Sequence, residues 1–312
     1  SDIGSFVKEK GWPAFRAVEA KILSELLAEG GEGRVVACGG GIIETEESRK
    51  LLLAAQRMGH VVVHIRRNFA EIEAYLTSDP NRPALPEAPA VAWARREPLY
   101  TQTCSLEFLS TASAADDFED DHAQLLLLVD RAIRRARTAV VRGTVTISLT
   151  HSDMKEAAKD AARLEKGADA LEMRVDLLGE RSHEELREQH SLLRRSSTLP
   201  IIWTVRSKAQ GGKFEGTEAE YVSLLQLGVR LGSEFVDVEN CWSNGAKAKV
   251  LKNKGLSVAI ASYHDFADNF YPAAEITRIL EKLREGGTSD VVKMAIKTPK
   301  PSQVVEMEYA TT

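Results

Sequence analysis

Three hundred and twelve residues, at the roughly 150 that a typical domain uses, predict about two domains, each large enough to bury a core of its own. Hydrophobic residues make up 43% and charged residues 28%, no apolar run approaches the roughly 18 residues of a spanning helix, and no basic start precedes an apolar stretch, so membrane and disordered classes are not expected. A net charge of −5 gives no footprint for nucleic acid, and three scattered cysteines, Cys38, Cys104 and Cys241, show no zinc spacing and point to a reducing, cytoplasmic setting.

Along the chain, residues 34–38 are the first strand candidate, ending at Gly39, Gly40 and Gly41; residues 61–65 are the second, with a helical stretch at 46–58 between them. A small-residue stretch at 110–115 leads into Asp116, Asp117, Glu119, Asp120 and Asp121, with Arg131, Arg134, Arg135 and Arg137 further on and Gly143 beyond. Acids in the first turns and bases in the last match the helix macrodipole, so this run predicts a helix rather than a partner-binding tail. After Gly143, apolar runs at 145–149, 170–178, 200–205, 235–238, 258–262 and 291–296 alternate with amphipathic stretches. Short and nearly continuous, they read as strands buried on both faces. Strand-then-helix units in series predict a parallel α/β architecture, either doubly wound or a (β/α) barrel.

The polar residues on those strands carry the chemistry. Glu172, Arg174 and Asp176 alternate with Met173 and Val175, so a continuous strand points all three to one face. Such groups in a core must be paired, and a closed set could satisfy that without catalysis. Arg206 ends the third strand, Glu239 the fourth and His264 with Asp265 the fifth, while Lys293 lies within the sixth. Ends of successive parallel strands converge on one rim, where α/β folds put their sites. A lysine flanked by Val291, Val292, Met294, Ala295 and Ile296 reads as a desolvated amine able to form a Schiff base, with an ion pair to Glu172 as the structural alternative. His264 supplies a proton-transfer group, and Arg174 and Arg206 suit a carboxylate.

ALEMRVDLL at 170–178, IIWTVRS at 201–207, FVDVE at 235–239, IASYHD at 260–265 and DVVKM at 290–294, in that order, resemble type I 3-dehydroquinate dehydratase. That resemblance implies Lys293 as the Schiff-base residue, His264 as the general acid/base, and Glu172, Arg174 and Arg206 as dehydroquinate contacts, with no metal or organic cofactor. Gln210 stands where many bacterial members carry a glutamate close to the histidine, which puts the tuning of the histidine in question.

GWPAFRAVE at 11–19, VACGGGI at 36–42, NRP at 81–83 and REPLY at 96–100 resemble the later part of shikimate kinase. Here the resemblance implies that Arg16, Gly39, Gly40, Gly41 and Arg96 hold shikimate, and that Arg82 belongs to a lid over ATP. No GxxxxGK[ST] occurs, so the loop that cradles ATP phosphates and helps hold Mg²⁺ is missing; ATP and Mg²⁺ would serve the kinase of an intact parent, and this chain alone is not expected to phosphorylate.

The expected organisation is a partial P-loop-kinase-like α/β domain over 1–110, a linker helix over 111–142 and an incomplete TIM-barrel domain over 143–312, with six of eight units. Kinase followed by dehydratase is the order in the pentafunctional arom polypeptides, so the chain reads as a fragment of that family, cut at both ends. The alternative is a quinate-pathway repressor that binds the same metabolites without turning them over. Retention of Lys293, His264 and both arginines favours the enzyme. Expected partners are the small-molecule substrates, and a second copy or other arom domains; neither membrane nor direct nucleic-acid contact is expected.

Overall fold

The computed structural model describes residues 3–30, 33–78, 87–111, 118–134, 144–285, 289–297 and 300–311. They fall into two compact units, Ser1–Leu126 and Leu127–Thr312. No described helix is long and apolar enough to cross a membrane.

In the first unit, α1 (Ile3–Ala28) bends at Gly11, whose φ of +79° interrupts the helical path shortly before Pro13. It buries Arg16, Ala20 and Leu23. A 3-10 turn over Ile42–Glu44 leads into α2 (Glu46–Arg57), where the Thr45 hydroxyl caps the helix by accepting the Ser48 amide at 3.2 Å. Then follow β1 (Val63–Arg66), α3 (Phe69–Ser78), α4 (Pro89–Thr103) and β2 (Leu106–Leu109), which lies parallel to β1 with Val63 opposite Leu106. Leu23, Ile42, Ile43 and Leu52 form an apolar cluster. The strand expected at 34–38 does not form, and Val35 is 99% exposed. A strand exists by its ladder to a neighbour, and among the described residues β1 and β2 pair only with each other.

Helix α5 (Phe118–Arg134) starts with Glu119, Asp120 and Asp121 in its first turn, as the charge pattern predicts. Asp116, Asp117, Arg135, Arg137 and Gly143 lie outside the described residues.

The second unit runs β3 (Thr146–Leu149), α6 (Met154–Lys159), α7 (Ala161–Leu164), β4 (Ala170–Arg174), α8 (His183–Ser196), β5 (Ile201–Thr204), α9 (Glu218–Arg230), β6 (Phe235–Glu239), α10 (Asn244–Lys252), β7 (Val258–Asp265), α11 (Ala273–Arg284), β8 (Val291–Ile296) and α12 (Pro301–Thr311). The six strands form one curled parallel sheet in chain order, β3 to β8. Spatial order equal to chain order selects the barrel over the doubly wound fold, which reverses direction at a switch point. Strands β3 and β8 are edges of the described sheet.

Helix starts are written locally. Thr217 and Glu220 make a reciprocal capping box at the start of α9, and Ser182 accepts the Glu185 amide at the start of α8. The outer face of the sheet packs Leu171, Met173, Ile201, Trp203, Val236 and Val238 against helix residues that include Leu186, Leu193, Leu225 and Val250. Leu171, Leu186, Leu193 and Leu225 are wholly removed from solvent, each stabilising the fold by about 1.5–3 kcal/mol.

The inner face is layered by the two-residue period of the strands. Its lower layer is apolar: Ala170, Ile202, Phe235, Ile260 and Val291. Two residues further along each strand stand Glu172, Thr204, Asp237, Ser262 and Lys293, and two further again Arg174, Arg206, Glu239, His264 and Ala295. Alternation thus seals the bottom of the sheet and makes its C-terminal end polar. One expectation is corrected here. The run 170–178 is not a single strand: β4 ends at Arg174 and Val175–Leu177 is a 3-10 turn, so Asp176 leaves the ladder.

Candidate active site

At the C-terminal end of the inner face, the Lys293 ammonium lies 3.4 Å from Glu172 Oε1 and 3.5 Å from Asp237 Oδ2. Its side chain is 35% exposed, on an edge strand. The apolar flanks that suggested a desolvated amine are its sequence neighbours; the atoms it meets across the sheet are carboxylate oxygens. Glu172 also accepts from Thr204 Oγ1 at 2.8 Å. Burial pushes the Glu172 carboxyl up, but the Lys293 ammonium and the Thr204 and Ser148 hydroxyls outweigh it and hold the group below its usual range.

Arg206 is the electrostatic centre. One guanidinium nitrogen donates to Asp237 at 3.2 Å, Glu239 at 2.9 Å and Ser262 at 3.2 Å, and the other donates to Asp237 at 2.8 Å. The side chains of Asp237 and Glu239 are fully buried and that of Arg206 is 4% exposed. Burial disfavours the guanidinium charge, yet Asp237, Glu239 and Glu172 together raise its pKa further. Burial likewise pushes Asp237 up, and Arg206, Lys293 and the Ser262 hydroxyl hold it below the carboxylate range.

Arg174 forks onto Asp176, Nε and one terminal nitrogen each donating at 2.8 Å. Asp176 in turn accepts the amides of Arg206 at 3.3 Å and Lys213 at 3.0 Å, while Glu239 accepts the Ser207 amide at 3.0 Å. The loop after β5 is therefore held by carboxylates at both ends. Gly211 closes its 3-10 turn at φ +80°, and a Cβ there would sit 2.4 Å from the Phe266 ring. This loop delivers Gln210 to His264: Gln210 Oε1 lies 2.9 Å from the His264 amide and 3.0 Å from its Nδ1. His264 is 8% exposed, and its pKa is lowered to about 4, first by burial and then by the Arg206 and Lys293 charges, against the opposing pull of Asp237 and Glu172. The imidazole is neutral at ordinary pH.

The first unit holds a second cluster. Glu44 accepts from Arg96 Nε at 2.7 Å and from Arg95 at 3.1 Å, and lies 3.6 Å from Arg16 Nε. Burial pushes Glu44 up, but Arg96, Arg95 and Arg16 hold it below its usual range. Arg16 also pairs with Glu19 and stacks over Trp12 at 5.0 Å. Gly41 lies so close that a Cβ would be 2.0 Å from the Arg16 guanidinium carbon, and Tyr100 donates its hydroxyl to the Gly40 carbonyl. Arg16, the three glycines and Arg96 are thus brought together. Arg82 lies outside the described residues.

Of the site residues read from sequence, Glu172, Arg206, His264 and Lys293 converge on one end of the sheet, while Arg174 turns to Asp176. Asp237, Thr204, Ser148 and Ser262 went unnoticed, as did Glu44. The signal for the strand residues was available: each stands two positions before a residue already singled out or opposite one, on the same face. Glu44 follows the glycines by three residues, a spacing that announces nothing alone.

Residues 145–312 match the family model of type I 3-dehydroquinase, and residues 1–126 match that of shikimate kinase. A pentafunctional AROM polypeptide from Malassezia globosa is 39% identical over 287 residues, covering 89% of this chain and 17% of its own length; another, from Scheffersomyces stipitis, is 36% identical over 270 residues, covering 85% and 17%. The chain therefore spans about a sixth of these curated relatives. The structure of a type I 3-dehydroquinate dehydratase from Clostridium difficile overlays with a TM-score of 0.50 at 24% identity, over 54% of this chain and 68% of that one, a likeness of fold. The repressor alternative finds no support in these comparisons.

Proposed function

The chain belongs to the type I 3-dehydroquinase family through residues 145–312, and on that premise we propose that this part dehydrates 3-dehydroquinate to 3-dehydroshikimate through an imine on Lys293. The observation that carries it is the convergence of Lys293, Glu172, Arg206 and a neutral His264 at one end of a parallel sheet, with Lys293 left partly open to solvent.

Lys293 Nζ, its ammonium proton passed to Glu172 or Asp237 beside it, adds to the substrate ketone, and water leaves as the imine forms. The imine then accepts the electron pair released when His264 takes a proton from the adjacent carbon. An imidazole whose conjugate acid is as weakly held as that of His264 gives the proton up readily, here to the β-hydroxyl, which departs as water. Hydrolysis of the product imine restores the lysine. Glu172 and Asp237 keep the lysine placed and offer proton acceptors beside it. Arg174 and Arg206 are the candidate contacts for the substrate's carboxylate and hydroxyls; each faces an internal acid here, Asp176 for one and Asp237 with Glu239 for the other, so a substrate carboxylate engages them alongside those acids. No cofactor is required by this chemistry.

Residues 1–126 supply the shikimate-holding part of a kinase, with Arg16, Gly39, Gly40, Gly41 and Arg96 around Glu44. The residues present do not fit ATP and Mg²⁺, because no GxxxxGK[ST] loop occurs in the sequence. We propose shikimate phosphorylation only for a polypeptide of the arom kind, as the curated relatives are named, cytoplasmic and multifunctional in the shikimate pathway. Along the sequence the proposed division is 1–110 for the kinase-like part and 143–312 for the dehydratase-like part, with α5 (Phe118–Arg134) falling between them. Incubation with 3-dehydroquinate tests the dehydratase: appearance of the conjugated enone by ultraviolet absorbance, lost in Lys293→Ala, supports it. Equal rates for both proteins overturn it.

A further inference from the structure

His264 is held by an amide pair that continues beyond Gln210. Gln210 Oε1 faces the backbone N–H of His264 at 2.9 Å, and that N–H can only donate, so the atom facing it is the amide oxygen. The same oxygen lies 3.0 Å from His264 Nδ1, which must therefore carry the proton. Gln210 Nε2 then points the other way and donates to Asn240 Oδ1 at 2.6 Å. Gln210 is 4% exposed, and a flipped amide would set its NH₂ against the His264 N–H and present oxygen to oxygen at Asn240. We infer that Gln210 and Asn240 form a two-amide relay that fixes His264 as the Nδ1–H tautomer with Nε2 as its basic nitrogen, making Asn240 a positioning residue for proton transfer.

The relay is uncharged. The charged groups that act on His264 are Arg206 after β5, Lys293 on β8, Asp237 on β6 and Glu172 on β4; none of them is the partner of Nδ1. A carboxylate in the place of Gln210 would hold an imidazolium; an amide fixes the ring without stabilising its charge. The catalytic consequence rests on the dehydratase proposal, whereas the tautomer does not.

The test is a two-bond proton–nitrogen spectrum of the ¹⁵N-labelled full chain, with His264→Asn assigning the signals, recorded for wild type, Asn240→Leu and Asn240→Asp and paired with rates on 3-dehydroquinate across pH. Wild type is expected to show a pyrrole-like Nδ1 and a pyridine-like Nε2. In Asn240→Leu the two tautomers mix and kcat falls about tenfold with KM within about twofold. Asn240→Asp keeps the acceptor and the tautomer but adds a charge, raising the His264 midpoint and the acid limb of the rate profile by about half a pH unit or more. An Nε2–H tautomer in wild type overturns the relay, as does an unchanged spectrum in Asn240→Leu; should that variant not fold, an unmoved midpoint in Asn240→Asp overturns the charge-free coupling through Asn240. The expected tautomer in a wild-type chain without turnover upholds the relay and overturns the dehydratase proposal.

Discussion

Replacing Arg206 by methionine removes the one cation among the described residues in direct contact with both Asp237 and Glu239 while keeping most of the side-chain volume. Both carboxylates are fully buried, and Arg206 supplies each with a hydrogen bond of 2.8–2.9 Å. Breaking a buried pair from one side costs about 3–5 kcal/mol, because the partner charge is left uncompensated. Lys293 remains 3.5 Å from Asp237, and Glu239 keeps the Ser207 amide, which places the loss toward the lower end, about 3 kcal/mol. At a urea m-value of about 3 kcal/mol per molar, the midpoint moves down by about 1 M at pH 7.5. The sign with pH is also fixed. Without Arg206 the buried Asp237 carboxyl loses the charge that does most to hold it below its usual range and burial raises it instead, so the native state binds a proton that the unfolded chain does not, and the variant's deficit shrinks as pH falls toward 5. Urea unfolding followed by tryptophan fluorescence, with buried Trp203 reporting on this unit, measures both quantities. A shift below about 0.3 M, or a deficit that does not change with pH, refutes the reasoning that Arg206 neutralises the cluster.

Two further outcomes follow from the same physics. Because the native pKa of His264 is depressed to about 4 from an unfolded value near 6.5, its contribution is complete above about pH 6.5 and is lost as pH falls through that window; the stability difference between wild type and His264→Asn should shrink by on the order of 2 kcal/mol between pH 7 and 4, once solvent screening at the rim is allowed for, and a difference flat with pH contradicts it. Gly41→Ala would place a methyl 2.0 Å from the Arg16 guanidinium, forcing it from Glu44; shikimate affinity by calorimetry should drop by about tenfold or more, and unchanged affinity would mean that the arginine cluster is not the site.

Much of this was legible in the sequence because both relevant periods are strong. The two-residue alternation that puts Glu172, Thr204, Asp237, Ser262 and Lys293 in one layer is a consequence of strand geometry, and runs such as 201–205 and 291–296 mark the strands unambiguously. What could not be read was contact across the chain. Asp176 alternates correctly with Glu172, yet its carboxylate is captured by Arg174 and by the loop after β5, which ends the strand early. The run 34–38 has every local feature of a strand, but strand formation depends on a neighbour that no local pattern reports. Lys293 is flanked by apolar residues in sequence and faced by two acids in space, since its immediate neighbours Val292 and Met294 point to the opposite side of the strand. The link from Gln210 to Asn240 joins residues 30 positions apart, through a loop conformation set by Gly211, by backbone bonds between Arg206–Lys208 and Gly212–Phe214, and by two distant carboxylates.

The most direct test of the proposed chemistry is trapping. Mixing the chain with 3-dehydroquinate and borohydride reduces an imine to a stable amine, which intact-mass measurement and peptide mapping locate. A single adduct on Lys293, absent in Lys293→Ala and still formed in His264→Asn, is the predicted result, because imine formation needs the lysine while the later proton transfers need the histidine. An adduct elsewhere, or none on a chain shown folded by circular dichroism, would contradict the assignment of Lys293 as the Schiff-base residue of this chain.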